Sequence, residues 1–96
     1  MILDQEHIKQ TVQKYFRDKP VKKVYLFGSY ARGDAGENSD VDLLVELDYK
    51  KKIGLEFVRW TIDLGKIFQK KIDLVPEDTM YASTKMSAEK DKIAVI

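Results

Sequence analysis

The sequence predicts an α/β (α+β) fold in which two or three helices pack on a small mixed sheet of three to four strands. Three observations predict it. Apolar residues recur at helical spacing in two stretches, 4–16 and 53–68. Short extended runs at 21–27, 41–47 and 71–75 are closed off by Gly, Pro or charged residues. Helical and extended stretches alternate along the chain, so the helices must find a sheet to cover.

The first helix is expected over Asp4 to Phe16, where Ile8, Val12, Tyr15 and Phe16 form one apolar stripe and Asp4 supplies an N-cap. Pro20 closes it, because the residue before a proline is pushed out of helical geometry. Val21 to Phe27 reads as a strand, with Val24 and Leu26 on one face and Tyr25 and Phe27 on the other. Both faces are apolar, so a central strand covered on both sides is expected. Gly28 ends it. Residues 28–39 are rich in Gly, Ser, Asn, Asp and Glu and read as a loop, with one helical turn near Tyr30 to Arg32. Val41 to Leu47 is the second strand, with Asp40 at its mouth, and Lys50 to Lys52 form a charged connection. Ile53 to Phe68 is the longest helical pattern, carried by Phe57, Trp60, Thr61, Leu64 and Phe68 and weakened at Gly54 and Gly65 by roughly 1 kcal/mol each. Lys71 to Val75 is the third strand, bounded by Pro76. In the tail, a helix around Thr84 to Lys92 capped by Ser83 and a short strand at Ile93 to Ile96 are expected.

Composition narrows the function classes. The 96 residues fit one domain, 1–96, with a modest core. Hydrophobic residues make up 44% and charged residues 34%, which argues against disorder. The formal net charge of +1 lacks the basic excess of a protein that coats nucleic acid. The lysines at 50–52 and at Lys70 and Lys71 read as solvated charges at element ends. With no cysteine, disulfides, thiolate zinc sites and cysteine nucleophiles are excluded. The N-terminus lacks the regions of a signal peptide and no apolar run approaches membrane-spanning length, so a cytoplasmic location is expected.

The chemistry is concentrated in residues 28–42. Asp40 and Asp42 are two apart at the start of a strand and face the same way. Two carboxylates so placed repel each other unless a cation or donor lies between them. A magnesium site gains from the arrangement, because Mg²⁺ takes oxygen ligands and keeps waters and phosphate oxygens beside one or two carboxylates. Gly28 permits a tight turn and close approach of the backbone to a ligand, and Ser29 adds a hydroxyl donor, so this strand end suits a phosphate. Asp73, between the inward-looking Ile72 and Leu74, must face the other way; if that is the face of Asp40 and Asp42, three carboxylates converge. Each piece alone has an ordinary reading as turn, cap or solvated strand residue. Gly-Ser, a ten-residue spacer at 30–39, then Asp-x-Asp is on the order of a one-in-a-thousand coincidence.

Other motifs fail. Gly28 and Gly33 have P-loop spacing, but Asp34 and Ala35 stand where Lys and Ser or Thr are needed. The loop from Asp34 lacks the EF-hand pattern. His7, the one histidine, lies on the first helix and reads as structural or solvent-exposed.

Gly28-Ser29 followed by Asp40-x-Asp42 resembles the signature of the DNA polymerase β-like nucleotidyltransferase superfamily. The run Gly28 to Gly33 and the later Lys71 to Val75 are similar to its minimal nucleotidyltransferase (MNT) branch. The resemblance covers Val24 to Val75. It implies a polymerase β-like nucleotidyltransferase fold, Gly28 and Ser29 holding the nucleoside triphosphate, Mg²⁺ on Asp40 and Asp42 (two ions), and Asp73 as the third carboxylate assisting the acceptor hydroxyl. Arg32 matches the family's motif-loop arginine and is assigned to phosphate or partner contact. ATP is the implied substrate. Many members of the branch act as antitoxins of small helical HEPN toxins, some by transferring AMP to the toxin, so a HEPN-type partner and protein adenylylation are the implied function. There is one departure: where the family often has glycine before the third-acid strand, Gln69 and Lys70 stand here, with glycine earlier, at Gly65.

Two readings compete with the enzyme. The chain could be a binding module that neutralises its partner by occupying it, since no acceptor-binding lobe is visible. It could be a nucleic-acid-tailing enzyme, which the near-neutral charge weakens. The acceptor and the base preference are open.

Overall fold

The computed structural model describes residues 2–48, 53–77 and 92–96. The chain runs α1 (Gln5–Phe16), β1 (Val21–Phe27), α2 (Ser29–Arg32), β2 (Val41–Leu47), α3 (Glu56–Phe68), β3 (Ile72–Pro76) and β4 (Ile93–Ala94). The fold is mixed α/β, as the sequence predicts.

α1 starts where expected, with the Asp4 carboxylate accepting from the Glu6 backbone N–H at 3.4 Å. β1 and β2 take the predicted bounds. α3 begins three residues later than the apolar pattern suggests, because Gly54 adopts positive φ (50°) and turns the chain first. β3 is displaced by one residue and includes Pro76, which a strand paired on one side tolerates. The expected charged connection at Lys50 to Lys52 lies outside the described residues. So does the expected tail helix, except for its last residue, Lys92.

The four strands form one sheet in the order β3-β2-β1-β4. β1 is antiparallel to both β2 and β4, and β2 is parallel to β3. The parallel pair is joined by α3, the usual crossover for parallel neighbours. β1 is central, as its sequence implies.

Register decides which face each residue joins. Val24 pairs with Val45 and Leu26 with Leu43, while Val41 and Leu43 align with Ile72 and Leu74 of β3. These side chains share one face and are buried with Ile8, Val12 and Phe16 of α1 and Trp60, Leu64 and Phe68 of α3. Helices and sheet thus make a two-layer core. Phe16 and Trp60 meet edge to face at 5.6 Å between ring centroids and tie the two helices together. The other face carries Asp42, Leu44, Asp73 and Val75, with Tyr25 and Phe27 beside them. It is not bare: Leu44 is fully buried, whereas Tyr25 and Phe27 are partly exposed, so the expected double cover of β1 is complete on the helical face and partial on the other.

The departure at Gln69 and Gly65 has a physical account. α3 ends at Gln69, a non-glycine residue in left-handed geometry (φ 55°) whose N–H bonds the Gly65 carbonyl. Gly65 lies where the chain doubles back: a Cβ there would stand 3.4 Å from the Lys70 carbonyl oxygen, about van der Waals contact.

Candidate active site

The site is assembled where β1 ends and β2 and β3 begin. Phe27 is the register partner of Asp42, so Gly28 emerges directly beside the first turn of β2. Gly28 holds φ 74° and ψ −152°, a region that residues with a side chain essentially do not occupy. Space demands glycine as well, since a Cβ would collide with Asp42 Oδ2 and approach its Cγ to 3.1 Å. The turn delivers Ser29 at the start of α2, which Gly33 ends in left-handed geometry. Tyr30, the buried residue of this short helix, pins it to the core.

Asp42 and Asp73 are register partners on neighbouring parallel strands and therefore face the same side. Asp40 immediately precedes β2, and its charge reaches Asp42. Burial pushes the Asp42 carboxyl up to about 6, and the negative charges of Asp73 and Asp40 add to the rise; Arg32 and Lys71 oppose it. Asp42, half-buried, thus feels the charge of both other acids, while Asp73 is exposed. Among the described residues no three His, Cys, Asp or Glu side chains form a ready-made metal cage. Repelling carboxylates have no reason to close up without a cation between them. The donor set is hard oxygen, and the repulsion centred on Asp42 is what a divalent cation relieves. Residues and Mg²⁺ are therefore matched in charge and donor type, with water and phosphate oxygens free to complete the shell.

Arg32 is exposed, its Nε donates to Asp34 Oδ2 at 3.2 Å, and its charge is felt at Asp42, so it stands near the acid group. His7 is exposed and meets Phe68 edge-on at 6.1 Å, in keeping with a structural reading.

Two lysines do more than their reading as solvated charges foresees. Lys71 Nζ lies 3.9 Å from Asp40 Oδ2, and Lys70 Nζ donates to the Glu37 carbonyl at 2.7 Å. With Asn38, Ser39 and Gln69 they line a polar pocket beside Asp40. Lys71 remains largely solvated, so its pairing contributes little stability. The parallel register that sets Val41, Asp42 and Leu43 against Ile72, Asp73 and Leu74 is what brings Lys71 beside Asp40.

Residues 6–95 match the family described as nucleotidyltransferase domain. Over 86 residues the chain is 38% identical to a protein of Methanocaldococcus jannaschii whose working name is protein adenylyltransferase, with 86% of each chain covered. It superposes on a solved structure named as a minimal nucleotidyltransferase with a TM-score of 0.77, at 26% identity and with 95% of each chain covered. It also superposes, with a TM-score of 0.73, on a chain from the Shewanella oneidensis complex of a tri-AMPylated HEPN toxin with an MNT antitoxin. There the identity is 18%, over 96% of this chain and 71% of that one, so the likeness is one of fold.

Proposed function

The chain belongs to the nucleotidyltransferase domain family, and from that premise we propose that it transfers AMP from ATP to a hydroxyl of a partner protein, of the helical HEPN toxin type, and so acts as an antitoxin. The observation that carries the reading is the half-buried Asp42, raised by its neighbours Asp73 and Asp40, with side-chain-free Gly28 directly beneath it. The working name of the M. jannaschii relative supports a protein acceptor. The AMPylated toxin of the S. oneidensis complex supports its class and supports ATP as the donor.

In this proposal Asp40, Asp42 and Asp73 hold Mg²⁺, in a site for two ions. Mg²⁺, when bound, supplies positive charge to the phosphate oxygens and lowers the pKa of the attacking hydroxyl. Gly28 lets the triphosphate approach the backbone, and the Ser29 hydroxyl donates to a phosphate oxygen. Arg32, exposed near the acids, meets phosphate or partner. Asp73, the exposed acid, faces the incoming acceptor and takes its proton on a carboxylate oxygen. The acceptor oxygen bonds to the α-phosphorus as the bond to the β-phosphate bridging oxygen breaks, and pyrophosphate leaves. Asp40 and Asp42, deeper in the strand mouth, fix the geometry in which this occurs.

The test is transfer of label from α-³²P ATP with MgCl₂, using extract of the source cell as acceptor, for wild type against the double variant Asp40→Asn/Asp42→Asn. A protein band labelled by wild type alone is expected. Label in RNA would replace the reading with nucleic-acid tailing. No label, with a partner still bound and inhibited, would replace it with a non-catalytic binding module.

A further inference from the structure

We propose that Gln5, on the first turn of α1 and far from the acids in sequence, is a positioning residue for nucleotide binding: its side-chain amide holds α2, and with it Gly28 and Ser29, in the binding conformation. The inference rests on the proposed function, which places the triphosphate at Gly28 and Ser29.

α2 has four residues, a single turn that has no stability of its own. The carbonyls from its N-cap Gly28 to Ala31 can be followed one by one. The Gly28 carbonyl accepts from Ala31 and Arg32 N–H, and the Ser29 carbonyl from Gly33 and Asp34 N–H, all at 3.0–3.1 Å. The next two carbonyls, of Tyr30 and Ala31, belong to a helix end that has run out of backbone donors. Both are met by one group: Gln5 Nε2 donates to the Tyr30 oxygen at 2.7 Å and to the Ala31 oxygen at 3.3 Å. Because both partners are acceptors, the amide must present its NH₂ and not its oxygen. A second tie runs from the same segment, where the Leu3 backbone N–H donates to the Tyr30 hydroxyl at 3.4 Å. The other end of the clamp is rigid. Gln5 is the first residue of α1, which is capped by Asp4 and anchored by Ile8, Val12 and Phe16 in the core. The carbonyl end of α2 is therefore tied to α1 through the Gln5 amide, beside the Leu3 contact and the buried Tyr30 ring.

The experiment compares Gln5→Met, which keeps the stem and loses the donor, and Gln5→Glu, which turns an acceptor toward the two carbonyls. Gln10→Met is the control, since it removes an equivalent amide whose bond is to exposed Glu6 on the same helix. Three readouts are taken on the whole chain: Kd for AMP-PNP with MgCl₂ by calorimetry, thermal midpoint, and hydrogen exchange of the Ala31 and Arg32 amides. The expected result is Kd weakened about fivefold in Gln5→Met and about tenfold or more in Gln5→Glu, with exchange at Ala31 and Arg32 faster by similar factors. The midpoint should fall no further than in Gln10→Met. Unchanged exchange in both Gln5 variants would overturn the clamp, and faster exchange with unchanged Kd would overturn its role in nucleotide binding. Absence of AMP-PNP binding by wild type would instead sink the proposed function, and the positioning role with it.

Discussion

Gly28 lies so close beneath Asp42 that a methyl group on the first would overlap a carboxylate oxygen of the second. Backbone shape and acid placement are thus one structural requirement. Gly28→Ala must move either the turn or Asp42 and must also occupy a φ/ψ region that costs of order 1–3 kcal/mol. The expected outcome is a loss of roughly 2 kcal/mol or more in urea unfolding, together with loss of AMP transfer. A variant of wild-type stability and full activity would refute the close packing.

Asp42→Asn should separate stability from chemistry. It removes the charge that burial and two neighbouring carboxylates oppose, so the metal-free variant should unfold at a higher urea concentration than wild type. AMP transfer should fall roughly a hundredfold or more, as when one electrostatic contributor to a transition state is lost. A lower unfolding midpoint would show that Asp42 is a structural acceptor and not a strained acid.

The pH dependence follows with a definite sign. The Asp42 carboxyl is raised in the folded chain from 3.8 to about 6. The folded state therefore binds the proton more tightly, and this contribution to stability is full below about 4 and is lost as pH rises through about 6. Asparagine does not titrate. The stability advantage of Asp42→Asn over wild type should accordingly grow from about pH 4 to pH 7, and MgCl₂ should narrow it at pH 7. Paired urea titrations across that range check both parts; a constant advantage would show that Asp42 titrates normally.

Tyr15→Phe tests the helix layer apart from the site. The Tyr15 hydroxyl donates to Asp63 Oδ2 at 2.7 Å and joins α1 to α3. Burial and the Asp63 charge push the phenol well above its ordinary range, so it stays a donor at any working pH. The expected loss is about 1 kcal/mol, typical of a partly buried hydrogen bond, with AMP transfer unchanged. A drop in transfer would show that helix packing reaches the acids.

The parts of the molecule legible in the sequence are those with periodic signals. The bounds of β1 and β2 could be read because Val24 and Leu26, and Val41 to Leu47, alternate or run apolar between clear breaks at Pro20, Gly28 and Asp40. The outward orientation of Asp73 could be read from the burial of Ile72 and Leu74 on either side. The start of α3 could not, because Ile53 and Leu55 extend the apolar pattern through a turn that only Gly54's positive φ reveals. The lysines near Asp40 were hidden for another reason. Pairing of Lys71 with Asp40 depends on β2 and β3 being parallel neighbours in one particular register, and single-sequence periodicity carries no information about strand partners. Gln5 gives no signal at all in the sequence, since its partners are backbone carbonyls 25 and 26 positions away.

The alternation that sends Asp42 and Asp73 to one side and Leu43 and Leu74 to the other has a consequence for errors in folding. A chain that closed β2 one step out of frame would turn Asp42 into the hydrophobic core and Leu43 onto the partly covered opposite face. Such a molecule would lose its acid group and its packing at once and would be open to proteases. A chain with misplaced acids is thus also a chain marked for removal, because the same two strands set both acid placement and packing.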